Sequence, residues 1–122
     1  MRGDEALVVR DFRAHLEAEG WQVQTEVNHV DVVAERAGAR LYAEAKGRTS
    51  EPGLDVNTAL GQLLSRMPAQ DDPAARYALV VRDEPRSVRA AQRVPARVLD
   101  QLRITLHAVG EDGAVRTLEG RS

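Results

Sequence analysis

The residues of this chain with the clearest chemical potential stand in a row, Glu44-Ala45-Lys46. Lysine and arginine together number 17, and Lys46 is the single lysine among them. The two cations differ, because a guanidinium is a permanently charged planar fork, whereas an ammonium is a compact charge whose proton its surroundings can remove. A lone lysine two residues after a glutamate therefore indicates a site that requires an ammonium. Chance placement on a solvated strand face is the alternative explanation.

Two strands are predicted to carry this triplet and an acid beside it. Residues 29–35 and 41–46 are short and rich in apolar or β-branched side chains, which is typical of strands. Gly38-Ala39 between them suits a two-residue type II′ turn, because that turn favours glycine at its first central position. The sequence therefore predicts a β-hairpin over this region.

The register of that hairpin brings an acid opposite the lysine. If Ala37 pairs with Arg40, Asp31 lies directly opposite Lys46. Side chains that lie opposite each other share a face, and so do residues two apart along a strand. Asp31, Glu44 and Lys46 should therefore point the same way. A surface ion pair between Asp31 and Lys46 is the simpler alternative.

A helix is predicted before the hairpin, over residues 5–19. Asp4 is its expected cap, and Gly20 is expected to end it. Its apolar stripe follows Glu5 at helical spacing, so Glu5 lies in line with residues that should be buried. The residues of that stripe are Val8, Val9, Phe12 and Leu16.

A second helix is predicted after the hairpin. Asp55 is its expected cap, and the helix runs to about Met67. Thr58, Gln62 and Arg66 follow one another at intervals of four, so they form a polar strip along its surface. Gln62 is explained equally well as an ordinary solvated residue or as part of a site.

The remaining elements follow from apolar periodicity. Residues 77–81 are continuously apolar, which predicts a central strand that is covered on both faces. Further strands are predicted over 21–27, 104–108 and 115–118, and further helices over 86–93 and 95–102. The order of the elements predicts α/β architecture, with three α/β/α layers around a central mixed sheet in a single domain, 1–122.

Composition excludes several function classes. The chain has no cysteine, which excludes disulfides, thiolate nucleophiles and cysteine-bound zinc. Aromatic residues are 3% of the chain, too few for a base-stacking platform. The net charge is −2, so any nucleic-acid contact must come from local arginine clusters. No apolar run reaches transmembrane length and the N-terminus is polar, so we expect a cytoplasmic protein without a membrane partner.

The arrangement resembles the restriction-endonuclease-like superfamily, the PD-(D/E)xK nucleases. The hallmark of that family is an acid on one strand of a hairpin and E-x-K on the next strand. Asp31 and the triplet Glu44-Ala45-Lys46 match this pattern. The residue before Asp31 is Val30 rather than proline, which weakens the match to the motif more than it affects the chemistry.

The resemblance extends over residues 4–82 and includes two further positions. The family often has a glutamate on the first helix, which Glu5 matches, and in that role Glu5 would hold a water or a second cation. Some branches add a glutamine on the helix after the third strand, and Gln62 resembles it.

The resemblance implies a DNA nuclease that depends on Mg²⁺, with Mn²⁺ as a substitute. Magnesium prefers oxygen ligands and usually takes one or two carboxylates. Asp31 and Glu44 would supply those carboxylates, and the Ala45 carbonyl would be a third oxygen ligand. Lys46 would orient the attacking water or take its proton.

DNA is the expected partner, and arginines are its expected contacts. Arg48 and Arg66 flank the predicted site and are favoured over Arg86, Arg89 and Arg93, for which a solvated face is the preferred explanation. A domain of this size has little surface for sequence readout, so a homodimer or a place in a larger assembly stays open. Two other functions also stay open: a catalytically inactive nucleic-acid-binding module of the same fold, and a small α/β protein-interaction subunit.

Overall fold

The structure is a computed structural model that describes residues 3–122, and it contains four helices and six strands in that range. The helices are α1 (Gly3–Ala18), α2 (Pro52–Arg66), α3 (Pro85–Ala91) and α4 (Ala96–Leu102). The strands are β1 (Gln22–Val27), β2 (Val30–Arg36), β3 (Ala39–Lys46), β4 (Ala75–Arg82), β5 (Ile104–Val109) and β6 (Val115–Leu118). None of the helices over residues 3–122 is long and apolar enough to cross a membrane.

The six strands form one sheet in chain order, from β1 to β6. The first three strands are antiparallel, β3, β4 and β5 are parallel to one another, and β6 is antiparallel to β5. Parallel neighbours need a crossover connection, which α2 provides between β3 and β4, and α3 and α4 provide between β4 and β5. The mixed sheet confirms the predicted fold class.

Helices cover both faces of the sheet through separate apolar clusters. On one face, Phe12 of α1 packs in a cluster that includes Val32 and Val80. On the other face, Leu63 of α2 packs in a cluster that includes Leu79, together with residues of α3 and α4. Strand β4 lies in the middle and is buried along nearly its whole length, which explains its continuous apolar sequence.

Helix α1 has the amphipathic pattern that the sequence predicts. Its buried residues are Val8, Val9, Phe12 and Leu16. Glu5 is partly buried in line with them, and Gly20 follows the helix with a φ of 92°, which glycine adopts without steric cost. The prediction that Asp4 caps the helix is wrong, because Asp4 lies within the first turn and its carboxylate binds Arg82.

The turn between β2 and β3 differs from the predicted one. Its central residues are Ala37 and Gly38 rather than Gly38 and Ala39, and both have positive φ, 50° and 83°. Positive φ at both positions is the mark of a type I′ turn, whose twist matches that of the flanking strands. That match outweighs the cost of an alanine in the left-handed region.

The new turn shifts the pairing of β2 and β3 by two residues. Val32 pairs with Ala43. One residue farther along each strand, Asp31 therefore lies opposite Glu44. The prediction that Asp31 lies directly opposite Lys46 is therefore wrong. Because strand side chains alternate with a period of two, a shift of two residues leaves every side chain on its predicted face. Asp31, Glu44 and Lys46 thus share one face.

Helix α2 begins about one turn earlier than predicted. Pro52 occupies its first turn, where a missing N–H costs nothing, and the preceding Glu51 makes no side-chain capping hydrogen bond. The prediction that Asp55 caps this helix is wrong, because Asp55 lies inside the first turn. The loop between β3 and α2 is consequently short, residues 47–51.

Candidate active site

Glu44 is the most deeply buried acid in the described residues, with 2% of its surface exposed. It lies on β3, and its side chain points toward α2. Tyr42, on the same face of β3, packs in the cluster that contains α2, whereas Ala43 and Ala45, on the opposite face, pack in the cluster that contains α1. The Oε1 atom of Glu44 has no hydrogen-bond partner in residues 3–122. The pKa of Glu44 is raised to about 7, chiefly by burial. The charge of Asp31 and a hydrogen bond with Asp31 also contribute to this rise in pKa. A nearby cation would stabilise the charged form of Glu44.

Asp31 joins Glu44 across the boundary between β2 and β3. Its Oδ2 atom accepts a hydrogen bond from the backbone N–H of Ala45 at 2.8 Å. In an antiparallel pair, the N–H and C=O of one residue point to the same partner strand. The carbonyl of Ala45 therefore faces β2, on the side of Asp31. The two carboxylates therefore lie together at this boundary, and the Ala45 carbonyl faces the same neighbouring strand.

Glu5 and Lys46 lie beside this pair, where β3 ends. Burial, followed by the charge of Asp31, raises the pKa of Glu5, and the charge of Lys46 lowers it. Glu5 is thus within electrostatic range of both residues. The charge of Lys46 also lowers the pKa of Glu44. The ammonium is therefore within electrostatic range of both glutamates, so the structure brings the four charged residues of the predicted catalytic set to one end of the sheet.

Helix α2 brings Arg66 against the buried acid. The Nη2 atom of Arg66 lies 3.8 Å from Oε1 of Glu44 and donates a hydrogen bond to the carbonyl of His29 at 2.9 Å. Gln62 lies one helical turn earlier. Its Oε1 atom and the Nε atom of Arg66 are both buried, and neither has a hydrogen-bond partner within residues 3–122. Buried polar atoms normally have partners, so these atoms mark places that water or an ion would satisfy.

An open cleft of about 600 Å³ lies beside the acid pair and reaches Asp31 and Glu5, whereas Glu44 lies behind its lining. It is lined by Glu5, Glu26, Asn28, His29, Val30 and Asp31. Asn28 and His29 form the turn between β1 and β2, and both have positive φ. The cleft therefore opens between the first turn of α1 and the tip of the first hairpin, and three of its lining residues are acids.

Arg48 does not belong to this cluster. Its exposed guanidinium donates to Glu111 at 3.0 Å, and its backbone N–H donates to Asp4. Asp4 in turn binds Arg82, whose Nε atom lies 3.1 Å from Oδ2 of Asp4. Sequence reasoning missed this pair. The sequence feature that could have indicated the pair is the position of Arg82 directly after the continuous apolar run of β4.

Arg82 holds the first turn of α1 against the sheet. It is 2% exposed, and its Nη1 atom donates to the carbonyls of Val109 and Gly110, each at 3.0 Å. The hydrogen bond from Arg82 is the main cause that lowers the pKa of Asp4, so this carboxylate is charged at neutral pH. The pair fixes Asp4 and therefore its neighbour Glu5.

The carboxylates at the end of β3 fit a hard divalent cation. No group of three or more His, Cys, Asp or Glu side chains in residues 3–122 is arranged to hold a metal ion. The set is instead two carboxylates, Asp31 and Glu44. Magnesium usually binds one or two carboxylates and keeps several waters, so two suffice. The Oε1 atom of Glu44 has no hydrogen-bond partner among residues 3–122, so it is available as a ligand for such an ion.

Two solved structures resemble this fold over most of both chains. An XisH family protein from Nostoc punctiforme is 20% identical, with a TM-score of 0.64 over 93% of this chain and 99% of that one. An FdxN element excision controlling factor protein from Anabaena variabilis is 18% identical, with the same TM-score, 0.64, and the same coverage. At these identities the likeness establishes the fold alone. The sequence itself matches no family model and no curated protein.

Proposed function

We propose that this protein is a metal-dependent nuclease that hydrolyses phosphodiester bonds in DNA, with Mg²⁺ as its cofactor and Mn²⁺ as a substitute. The observation that carries the proposal is the convergence of Asp31 and Glu44, with Lys46 and Glu5 within electrostatic range of them. This is the constellation expected from the resemblance to PD-(D/E)xK nucleases. One structural relative is named an FdxN element excision controlling factor protein, and control of excision is in keeping with a protein that acts on DNA.

The residues divide into those that hold the cation and those that handle water. Asp31, Glu44 and the Ala45 carbonyl would hold the ion. When bound, the cation would polarise the phosphate and make a water more acidic. Lys46 would either orient the attacking water as an ammonium or, after releasing its own proton to solvent, take a proton from that water as a neutral amine. Glu5 would fix a second water by accepting a hydrogen bond from it.

Gln62, Arg48 and Arg66 have supporting roles in the proposal. The amide of Gln62 would bind water at the edge of the acid pair, since its buried Oε1 has no partner in the described residues. Arg48 and Arg66 would contact DNA phosphates, as the sequence predicts. Each would first have to leave a present partner, Glu111 for Arg48 and Glu44 for Arg66.

A cleavage assay tests the activity. Supercoiled plasmid and branched DNA are incubated with the protein in Mg²⁺ or Mn²⁺. We expect nicked or linear product with the wild type, none in EDTA, and none with Asp31→Asn. Glu35→Gln is the matched control, because Glu35 lies on the same strand and face but is exposed and pairs with Arg40.

One observation favours the second candidate, a catalytically inactive nucleic-acid-binding module of the same fold. Arg66 lies 3.8 Å from Glu44, where its charge already offsets part of the acid pair. A protein that binds Mn²⁺ and DNA but cleaves neither the plasmid nor the branched DNA would be such a module. A protein that binds neither Mn²⁺ nor DNA would instead fit the third candidate, a protein-interaction subunit.

A further inference from the structure

Three arginines line an open groove between α2 and α3, at a separate location from the acidic cleft. Arg86 and Arg89 belong to α3, and Arg93 follows its end. The groove has a volume of about 570 Å³. Its other lining residues are Glu51, Pro52, Gly53, Leu54, Ala90 and Gln92.

The charges of these arginines are not neutralised within the fold. In residues 3–122, none of the three forms an ion pair with an acid, and Glu51 is the one acid among the groove's lining residues. Arg48 and Arg66, by contrast, each have an acid beside them. In a chain with a net charge of −2, this groove is therefore a local concentration of free positive charge.

The walls of the groove leave the guanidiniums accessible. The Nη2 atom of Arg93 lies against Gly53, where a Cβ would stand 3.0 Å from it, so glycine leaves room for the fork. Arg89 is exposed. Arg86 donates to the Ser50 carbonyl at 3.1 Å, which ties the groove to the loop of residues 47–51 that begins directly after Lys46.

We propose that this groove binds the sugar–phosphate backbone of the DNA that the nuclease site acts on, so the inference rests on the proposed function. A guanidinium fork matches two phosphate oxygens, and arginine is therefore well suited to backbone contacts. Among the described residues, no aromatic side chain lines the groove, so the groove offers phosphate binding rather than base stacking. The contact is independent of DNA sequence. The loop of residues 47–51 runs from Lys46 to the start of α2, whose first residues line the groove.

Fluorescence anisotropy with a short labelled DNA duplex in EDTA tests the groove separately from cleavage. Arg89→Glu combined with Arg93→Glu should weaken binding by about tenfold or more, and should reduce the slope of log affinity against log salt by about two. The matched control is Arg10→Glu combined with Arg97→Glu, which makes the same change in net charge. Both are exposed, and neither lines the groove. The control should bind within about threefold of wild type at the same salt.

The outcomes separate the groove from the nuclease site. Circular dichroism establishes whether each variant is folded. If the Arg89→Glu, Arg93→Glu double variant is unfolded, the Arg89→Gln, Arg93→Gln double variant replaces it. If the wild type binds and cleaves DNA but the groove variants behave like the control, the groove inference is overturned and the proposed function stands. If the wild type neither binds DNA nor cleaves it with Mg²⁺, the proposed function fails and the groove inference fails with it.

Discussion

The backbone of Glu5 rests directly on Gly47. A Cβ added to Gly47 would lie 2.5 Å from the backbone nitrogen of Glu5 and 2.9 Å from its Cα atom. A Cβ atom essentially never comes this close to a non-bonded heavy atom, and both neighbouring atoms here are backbone, which cannot easily move aside. The glycine after Lys46 therefore allows the first turn of α1 to reach the end of β3. This contact, with the Asp4–Arg82 pair, explains why Glu5 lies near the acid pair.

We expect Gly47→Ala to destabilise the protein by about 1–3 kcal/mol, because the new methyl group can be accommodated only if α1 shifts. Urea unfolding followed by circular dichroism measures this change. Gly61→Ala is the matched control, since a Cβ on Gly61 meets nothing within 4 Å and the residue lies inside α2. The control should be more stable by up to about 1 kcal/mol. Equal stabilities of the two variants would contradict the close contact.

Glu5→Gln should lower cleavage by roughly 10- to 100-fold, the usual range for a residue that orients groups around a metal. Its effect on stability should be small, because burial and the charge of Asp31 already disfavour the charged form of Glu5. Steady-state cleavage and urea unfolding are compared for the same variant. Glu17→Gln, on the exposed side of α1, should change neither. A loss of stability as large as the loss of activity would assign Glu5 a structural role.

Asp31→Ala and Glu44→Ala should each abolish the binding of Mn²⁺. The reason is that the site offers two carboxylates, and either one alone is a weak ligand set for a hard cation. Isothermal titration at pH 8 is the measurement, because the raised pKa of Glu44, about 7, leaves it mostly charged there. Glu35→Ala should bind Mn²⁺ like the wild type, since Glu35 is exposed farther along β2. Unchanged titrations of both site variants would exclude this metal site.

The raised pKa of Glu44 predicts a pH dependence of stability in the metal-free protein. Between the ordinary value of 4.5 and about 7, the folded protein holds a proton that the unfolded chain has released. This contribution to stability is complete below pH 4.5 and is lost as the pH rises through about 7. Its full size is on the order of 3 kcal/mol.

A second group, the partly buried His107, titrates in the opposite sense over an overlapping pH range. Burial, followed by the charge of His15, lowers the pKa of His107 to about 4, so its contribution grows as the pH rises from about 4 to 6.5. The measurement is therefore the difference in unfolding free energy between wild type and Glu44→Gln, in which the effect of His107 cancels. The unfolding free energy of the wild type should fall relative to that of Glu44→Gln as the pH increases from 4.5 to 8. A difference that is flat with pH would contradict the burial of a protonated Glu44.

The faces of the site residues could be predicted from the sequence although the register could not. Ala37-Gly38 and Gly38-Ala39 are both plausible two-residue turns, and only the twist of the assembled sheet selects the first. The resulting error was a shift of two residues, which preserves the strand face. A shift of one residue would have turned Asp31 to the side of α1, away from Glu44.

The long-range partners were beyond sequence reasoning. Asp4 and Arg82 are 78 positions apart, and no local pattern connects them. Asp4 has the residue type of a helix cap, which is why its pairing with Arg82 was not predicted. The start of α2 involves two competing local signals, Pro52 and Asp55, and each is typical of a first turn. Tertiary packing decides between such signals.

Lys46, the single lysine of the chain, can be tested by exchanging its ammonium for a guanidinium. Lys46→Arg should keep the fold and the charge but lose roughly 10²- to 10⁴-fold in cleavage, the usual contribution of a positioned proton acceptor. A guanidinium cannot release its proton at working pH, and its planar fork is larger than an ammonium. Arg40→Lys on the same strand is the reverse substitution at an exposed site and should leave cleavage unchanged. If Lys46→Arg cleaves DNA like the wild type, any cation suffices beside Glu44, and the single lysine of this chain has no special role in the reaction.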